Sequence, residues 1–157
     1  TQLQWFQARL LHRILPTRKF LFKCKLVDSP LCCFCQQEQE TTEHIFWHCQ
    51  IVKVFWNNLL SLLHVKCLNC DRLVFSGELI LFSTLKNTHT DRVIDFILLL
   101  AKFFVYRCRF QNCYPLTNNF TIFLKSRYRI ELYSSIVSDK RLEFLQSWLP
   151  YQALIND

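Results

Sequence analysis

Cys32 and Cys35, then His44 and Cys49, fall at the spacing C-x2-C-x8-H-x4-C. Two thiols two residues apart can grip one metal from a single tight turn, and a histidine and a cysteine a short loop later close a tetrahedron. Thiolate and imidazole are the donors zinc prefers, and four protein ligands leave no coordination position open for chemistry. The expectation is a structural zinc knuckle with Zn2+ as cofactor and Cys32, Cys35, His44 and Cys49 as ligands. Two neighbours compete. His48 lies one helical turn from His44 and is a rival fourth ligand, although the donor preference for thiolate favours Cys49. Cys33 is one residue from a second cysteine that pairs better with Cys32, so it is expected to be a bystander. Cys49 follows His44 by five residues, off the face of a straight α-helix. The helix must loosen near His48, or the ligand must come from its last turn. The bland alternative, buried free thiols beside a core histidine, requires four ligand types to coincide at this spacing.

Helical periodicity surrounds the motif. Residues 2–15 place Leu3, Phe6, Leu10, Leu11, Ile14 and Leu15 near one stripe, with Arg9, His12 and Arg13 between, and Pro16 ends the helix. Thr17 can cap a second helix over 18–25. Residues 1–31 carry six Lys or Arg (Arg9, Arg13, Arg18, Lys19, Lys23, Lys25) against one acid, Asp28. Trp5, Phe6, Phe20 and Phe22 interleave with them and are expected in the core. Asp28, Ser29 and Pro30 form a turn that delivers Cys32, and the polar residues 36–40 should lie outside the metal site. Thr42 can cap the turn bearing His44, with the Glu43 carboxylate suiting the helix dipole.

Residues 51–64 repeat Ile51, Val54, Phe55, Leu59, Leu62 and Leu63, and this helix should pack on the first two. Cys67 and Cys70 form a second C-x2-C whose possible partners, Cys108 and Cys113, are distant in sequence; loop and core thiols are the simpler reading. Residues 73–85 surround Gly77, the only glycine, and hold a short strand (79–82) or a helix fragment. Thr90 or Asp91 can cap a very apolar, central helix over 91–109. A helix over 119–137 should bury Phe123, Ile130 and Tyr133 and expose Lys125, Arg127 and Arg129; a last helix, 140–148, stops at Pro150.

The 157 residues suit one domain or a small module with an extension, long enough for a real core. Hydrophobic residues at 51% exclude disorder, and a single Gly excludes Gly-rich phosphate loops and dinucleotide fingerprints. The fold class is therefore mainly α, a small helical bundle with an inserted CCHC zinc knuckle. A net charge of +7 suits a nucleic-acid or anionic partner. No signal peptide opens the chain, and among nine Cys the thiols at metal spacing fit a reducing, intracellular setting, cytoplasm and nucleus. With no Met anywhere, a piece of a longer polypeptide is expected. The apolar run from Val93 to Tyr106 carries Asp95 and Lys102 and is too short for a bilayer. Zinc enzymes fit poorly. Base deaminases need H-x-E before P-C-x-x-C, whereas Leu31 separates Pro30 from Cys32 and the histidine follows the cysteine pair; H-E-x-x-H is absent.

The residues Arg9 to Thr17 (RLLHRILPT), Val27 to Cys32 (VDSPLC), Thr42 to Cys49 (TEHIFWHC) and Val54-Phe55-Trp56 together resemble the zinc-binding region that follows the polymerase in reverse transcriptases of LINE-type (non-LTR) retrotransposons. The resemblance covers residues 3 to about 64; Leu98 to Tyr106 and Lys125 to Tyr128 are similar to the tails of such proteins, less specifically. It implies Cys49 over His48 as ligand. It implies a division into a zinc-binding region (1–64) and a helical C-terminal tail (65–157). It also implies a non-catalytic role, helping to hold RNA template or target DNA during target-primed reverse transcription. The implied partners are RNA or DNA and the polymerase domain of the parent protein, with no membrane and no small-molecule substrate. Arg9, Arg13, Arg18, Lys19, Lys23 and Lys25 are the candidate phosphate contacts. No endonuclease segment or polymerase Asp-Asp motif is visible, so the chain itself is not expected to be an enzyme. The rival function is a structural brace that docks on the polymerase without touching nucleic acid.

Overall fold

The computed structural model describes residues 2–68, 70, 73–82 and 89–156, with only the backbone for 89–91. Residues 83–85 of the ambiguous segment, and the side chains of the caps expected at Thr90 or Asp91, lie outside what is described; the backbone of both cap positions is already inside a helix that starts at His89. Among these residues the chain forms eight α-helices and no strand, a mainly α fold. In chain order they are α1 (Gln2–Leu11), α2 (Arg18–Lys23), α3 (Gln50–Lys66), α4 (Gly77–Phe82), α5 (His89–Phe110), α6 (Thr117–Val137), α7 (Arg141–Trp148) and α8 (Gln152–Asn156). A π-helical turn (His44–His48) precedes α3, and a 3-10 turn (Leu149–Tyr151) precedes α8.

The apolar α5 is the axis of the bundle. It packs on α1, α6 and α7 and buries Ile97, Leu98, Leu100, Ala101 and Val105 completely. Phe6 of α1 meets Phe103 edge-on at 5.3 Å and Phe46 of the π turn at 6.1 Å, so one aromatic cluster joins three elements. One hydrophobic core runs from Leu3 to Leu154. Among the described residues no helix is long and apolar enough to cross a membrane.

Several expectations are corrected by packing. α1 ends at Leu11, ahead of Pro16, because Arg13 takes φ 56° while Arg13 N–H bonds Leu10 O and Ile14 N–H bonds Arg9 O. That is the left-handed helix stop normally given to glycine. Lys25 (φ 57°) and Asp139 (φ 57°) end α2 and α6 in the same way, so a nearly glycine-free chain still turns sharply, at a strain cost in each side chain. α3 does not pack chiefly on the first helices; its main partners are the π turn, α6 and α8. It buries Val52, Phe55, Trp56, Leu59 and Leu63, while Val54 is exposed. On α6, Ile130 and Tyr133 face solvent and Phe120 and Leu124 are buried; Lys125 and Arg127 are half-buried and only Arg129 is fully exposed. α7 ends at Trp148, just ahead of Pro150 as expected, but it is not the last helix. Proline sits in the first turn of the 3-10 helix, where its missing N–H costs nothing, and α8 follows with Leu154 buried. The segment around Gly77 is helix, capped by Ser76 Oγ, which accepts from Leu79 N–H at 3.1 Å. A Cβ on Gly77 would lie 3.0 Å from the Trp47 ring, so close helix packing, not a turn, requires this glycine.

Lys102 is fully buried in α5 and donates to Gln7 Oε1 (3.0 Å) and Leu81 O (3.4 Å), tying α5 to α1 and α4. Burial lowers its pKa to about 8, with Asp95 partly opposing. Below pH 8 the ammonium is charged in both folded and unfolded chains and the full burial penalty is felt. Between pH 8 and the usual lysine value the folded chain sheds the proton first, so the stability tied to this group rises with pH. Lys102→Met should therefore stabilise the protein at pH 7 by at most roughly 3 kcal/mol, seen as a higher melting temperature, and the gain should shrink towards pH 10. Thermal melts of both proteins across this range check it; a Met variant less stable at pH 7 would contradict it.

Candidate metal centre

The turn that carries the first two thiols is built by its backbone. Leu31 bridges Gln39, Cys32 N–H bonds Glu38 O at 2.8 Å, and Gln36, at φ 53°, returns its N–H to Cys32 O at 2.9 Å. This curls residues 32–36 so that both Cys32 and Cys35 face inward. The other two donors come from the π turn. Thr41 Oγ1, not Thr42, caps it by accepting from His44 N–H at 3.0 Å. Cys49 N–H bonds His44 O at 2.8 Å, an i to i+5 link. The wider turn brings residues five apart onto one face, which a regular α-helix does not do. The loosening required by the His44-to-Cys49 spacing thus takes the form of a π turn.

Ligand atoms of Cys32, Cys35, His44 and Cys49 all lie within 4.8 Å of one another. Cys32 Sγ is 3.9 Å from Cys49 Sγ, and Cys35 Sγ is 3.3 Å from His44 Nε2. A tetrahedral zinc with sulfur arms of about 2.3 Å and nitrogen arms of about 2.0 Å needs S–S edges of about 3.8 Å and S–N edges of about 3.6 Å. The donors fit that ion in type and separation. Cys32, His44 and Cys49 are buried and Cys35 half-buried, so the centre is closed. His48 is exposed and stands outside the group. His44 Nδ1 is buried and lies 3.2 Å from Glu38 Oε2, without an aligned hydrogen bond. That carboxylate is placed to hold the ring so that Nε2 faces the thiols. Hydrogen bonds with Cys33 and then Cys49 lower the pKa of the Cys32 thiol, and bonding to that same sulfur raises Cys33 and Cys49.

Cys33, with Cys32 and Glu40, makes a second three-atom group, but Glu40 is fully committed elsewhere. Residues 36–40 were expected to lie outside the metal site, and Glu40 is not among the four donors, but it is completely buried. Its Oε1 accepts from Arg109 Nε and from Arg18 N–H, both at 2.7 Å, and its Oε2 faces Cys33 N–H at 3.4 Å. Glu40 N–H bonds Pro30 O, and its carbonyl accepts from Lys19 N–H. One residue thus fastens the start of α2, the thiol loop and the end of α5. Nothing in the pattern of residues 36–40 marks it, because a lone Glu in a polar loop is normally solvated.

Cys67 and Cys70 are buried beside each other, and buried Cys108 neighbours the exposed Cys113. Burial first, then the neighbouring thiol, pushes Cys67 and Cys108 each up to about 12. Among the described residues neither pair joins a three-ligand group.

The basic face is placed as follows. Arg9, Arg13, Lys23 and Lys25 are exposed; Arg18 and Lys19 are half-buried. Arg13 pairs loosely with Glu43 at 3.5 Å, and Arg18 Nε reaches Ser29 O at 3.4 Å. The interleaved aromatics do not go to the core as expected. Only Phe6 is buried, while Trp5 is 70% exposed and Phe20 and Phe22 are open to solvent.

Residues 1–56 match the family described as zinc-binding in reverse transcriptase. The match takes in α1, α2, the thiol loop and the π turn and ends inside α3, so it spans all four donors and all six candidate cations. No curated protein matches the chain.

Proposed function

We propose that the chain is a non-catalytic, zinc-holding module of a LINE-type (non-LTR) reverse transcriptase. Cys32, Cys35, His44 and Cys49 would hold Zn2+, and the module would help hold template RNA or target DNA beside the polymerase domain of a parent protein in cytoplasm and nucleus. The observation that carries this is the junction of a closed four-donor centre with a cationic face, through Glu40 and the N–H of Arg18. Zinc supplies folding energy there and no reaction, since four protein donors leave no place for substrate. The chain's own residues do the rest: the thiol loop and π turn set the angle of α1 and α2, and their cations meet phosphates. Lys25 supports this reading. It occupies a left-handed position that glycine would fill with less strain, so the cation is kept at a cost.

Binding of labelled RNA and DNA across a salt series tests it. Each neutralised phosphate contributes a slope of about −0.7 to −0.9 in log affinity against log salt, so several contacts give a steep fall. Lys25→Gly should bind more weakly while melting no lower than the wild type. Absence of binding, or binding indifferent to salt, would sink the proposal.

A second reading, a brace docked on the polymerase, is favoured by one observation. Ile122, Ile130, Tyr133 and Val137 form an exposed apolar row along α6. Under that reading, neutralising the six cations leaves function intact while Cys32→Ser destroys it.

A further inference from the structure

Trp5 and Arg9 stand one helical turn apart on the exposed side of α1. Together with Gln2, Leu15, Phe103 and Tyr106 they line a cleft of about 460 Å3. Its floor is rigid, because Phe6 beneath is locked edge-on against Phe103 and tilted against Tyr106 at 5.5 Å. No carboxylate lines it, and among the described residues no acid pairs with Arg9. A tryptophan 70% exposed beside a free guanidinium is an expensive surface unless something flat and anionic covers it.

The other clefts lack this combination. The one between α5, α6 and α7 sets Arg92 and Lys140 against Glu131 and Glu143, a balanced charge that gives a polyanion nothing. The one between α3 and α6 has Lys66 and Lys125 with hydroxyls but no ring on which a base could stack.

Building on the nucleic-acid reading above, we propose that the Trp5–Arg9 cleft takes an unpaired nucleotide of a single strand, its base stacked on the Trp5 indole and its phosphate on Arg9. Stacking needs a free base face, which a duplex hides inside its own stack. A 5.4 Å rise per helical turn separates ring and cation by about the reach from a base to a nearby phosphate. Phe20 and Phe22 of α2, exposed among Lys19, Lys23 and, just past the helix, Lys25, offer further rings with cations beside them. The site thus selects strandedness and not sequence, since every base has a π-face.

The test is fluorescence anisotropy with the full zinc-loaded chain, using oligouridine, oligothymidine and an oligothymidine–oligoadenine duplex, each of about twelve nucleotides. Single strands should bind more tightly than the duplex, and the two single-stranded arms separate RNA from DNA. Trp5→Ala should weaken single-strand binding roughly 5- to 150-fold, the fold-change of one lost stack, and barely move duplex binding. Trp5→Phe should restore most of it, and both variants should melt like the wild type because the indole is exposed. Arg9→Ala should lower the salt slope by about 0.7. Unchanged single-strand binding by Trp5→Ala, or a duplex bound as tightly as a single strand, overturns the cleft alone. If the wild type binds none of the three probes, the nucleic-acid reading falls with it.

Discussion

Cys49→Ser should empty the metal centre and unfold the segment around it, whereas His48→Ala and Cys33→Ala should each retain one zinc per chain. The contrast follows from position. Cys49 Sγ is buried 3.9 Å from Cys32 Sγ, while His48 is exposed and Cys33 belongs to the Glu40 side of the loop. The effect should be large. Structural zinc contributes about 10–16 kcal/mol of apparent binding energy in small zinc-dependent folds, against a total stability of about 5–15 kcal/mol for a typical domain. Without the ion, three thiols and a histidine are left clustered inside the protein, with little regular structure between residues 24 and 43 to hold them. A strong chelator should reproduce the Cys49→Ser melt. Glu38→Ala should be milder, weakening zinc about 10- to 100-fold, as loss of an orienting carboxylate does. Atomic absorption and thermal melts on the five proteins decide it. Full zinc in Cys49→Ser would remove this ligand set, and two zincs in the wild type would return attention to Cys67 and Cys70.

The mainly helical fold and the donor spacing were legible in the sequence for a shared reason: each is a local, periodic signal. Two thiols in one tight turn need no distant partner, and α5 is apolar enough that any orientation buries it. Even the loosened turn before Cys49 follows from a five-residue spacing, though not its π form. What failed was the phase of helices that are apolar on more than one side. α1 carries Trp5 and Phe6 on neighbouring positions, and only one can face α5; α3 carries Val52, Val54, Phe55 and Trp56, and Val54 loses. α6 has apolar residues almost all round, so Ile130 and Tyr133 looked as fit for the core as Phe120 and Leu124. Tertiary packing settles such choices, and a periodicity of 3.6 cannot. The end of α1 at Arg13 was hidden because the left-handed stop lacks its usual glycine, whereas the end of α6 at Val137 falls where the sequence pattern placed it.

Glu40 was the least legible residue, and its substitution should have the other large effect. Its partner Arg109 is separated by 69 positions, so no local pattern couples them. Both side chains are at most 5% exposed, and a buried pair broken by removing one member costs about 3–5 kcal/mol, because the remaining charge is stranded. Arg109 is especially vulnerable. Its Nη1 is already buried without a hydrogen-bond partner, and it is held otherwise by the Tyr106 and Phe110 rings at 5.6 and 5.0 Å. Glu40→Gln should therefore destabilise by roughly that amount, and so should Arg109→Met. The double variant should cost clearly less than the sum, since no lone charge is left. Denaturant melts of the four proteins give this coupling directly; simple additivity would show that the two groups do not act as a pair. A further expectation separates this lock from the metal. The Glu40 carboxylate hydrogen-bonds Arg18, Cys33 N–H and Arg109 and no side chain of the tetrad, so Glu40→Gln should keep one zinc per chain at temperatures below its melt. It should nevertheless lose salt-dependent nucleic-acid binding earlier on warming than it loses zinc. Arg18 N–H and Arg109 Nε are left with a neutral amide oxygen in place of the carboxylate, and with that weaker hold α2 and its lysines come away from α5 before the tetrad opens.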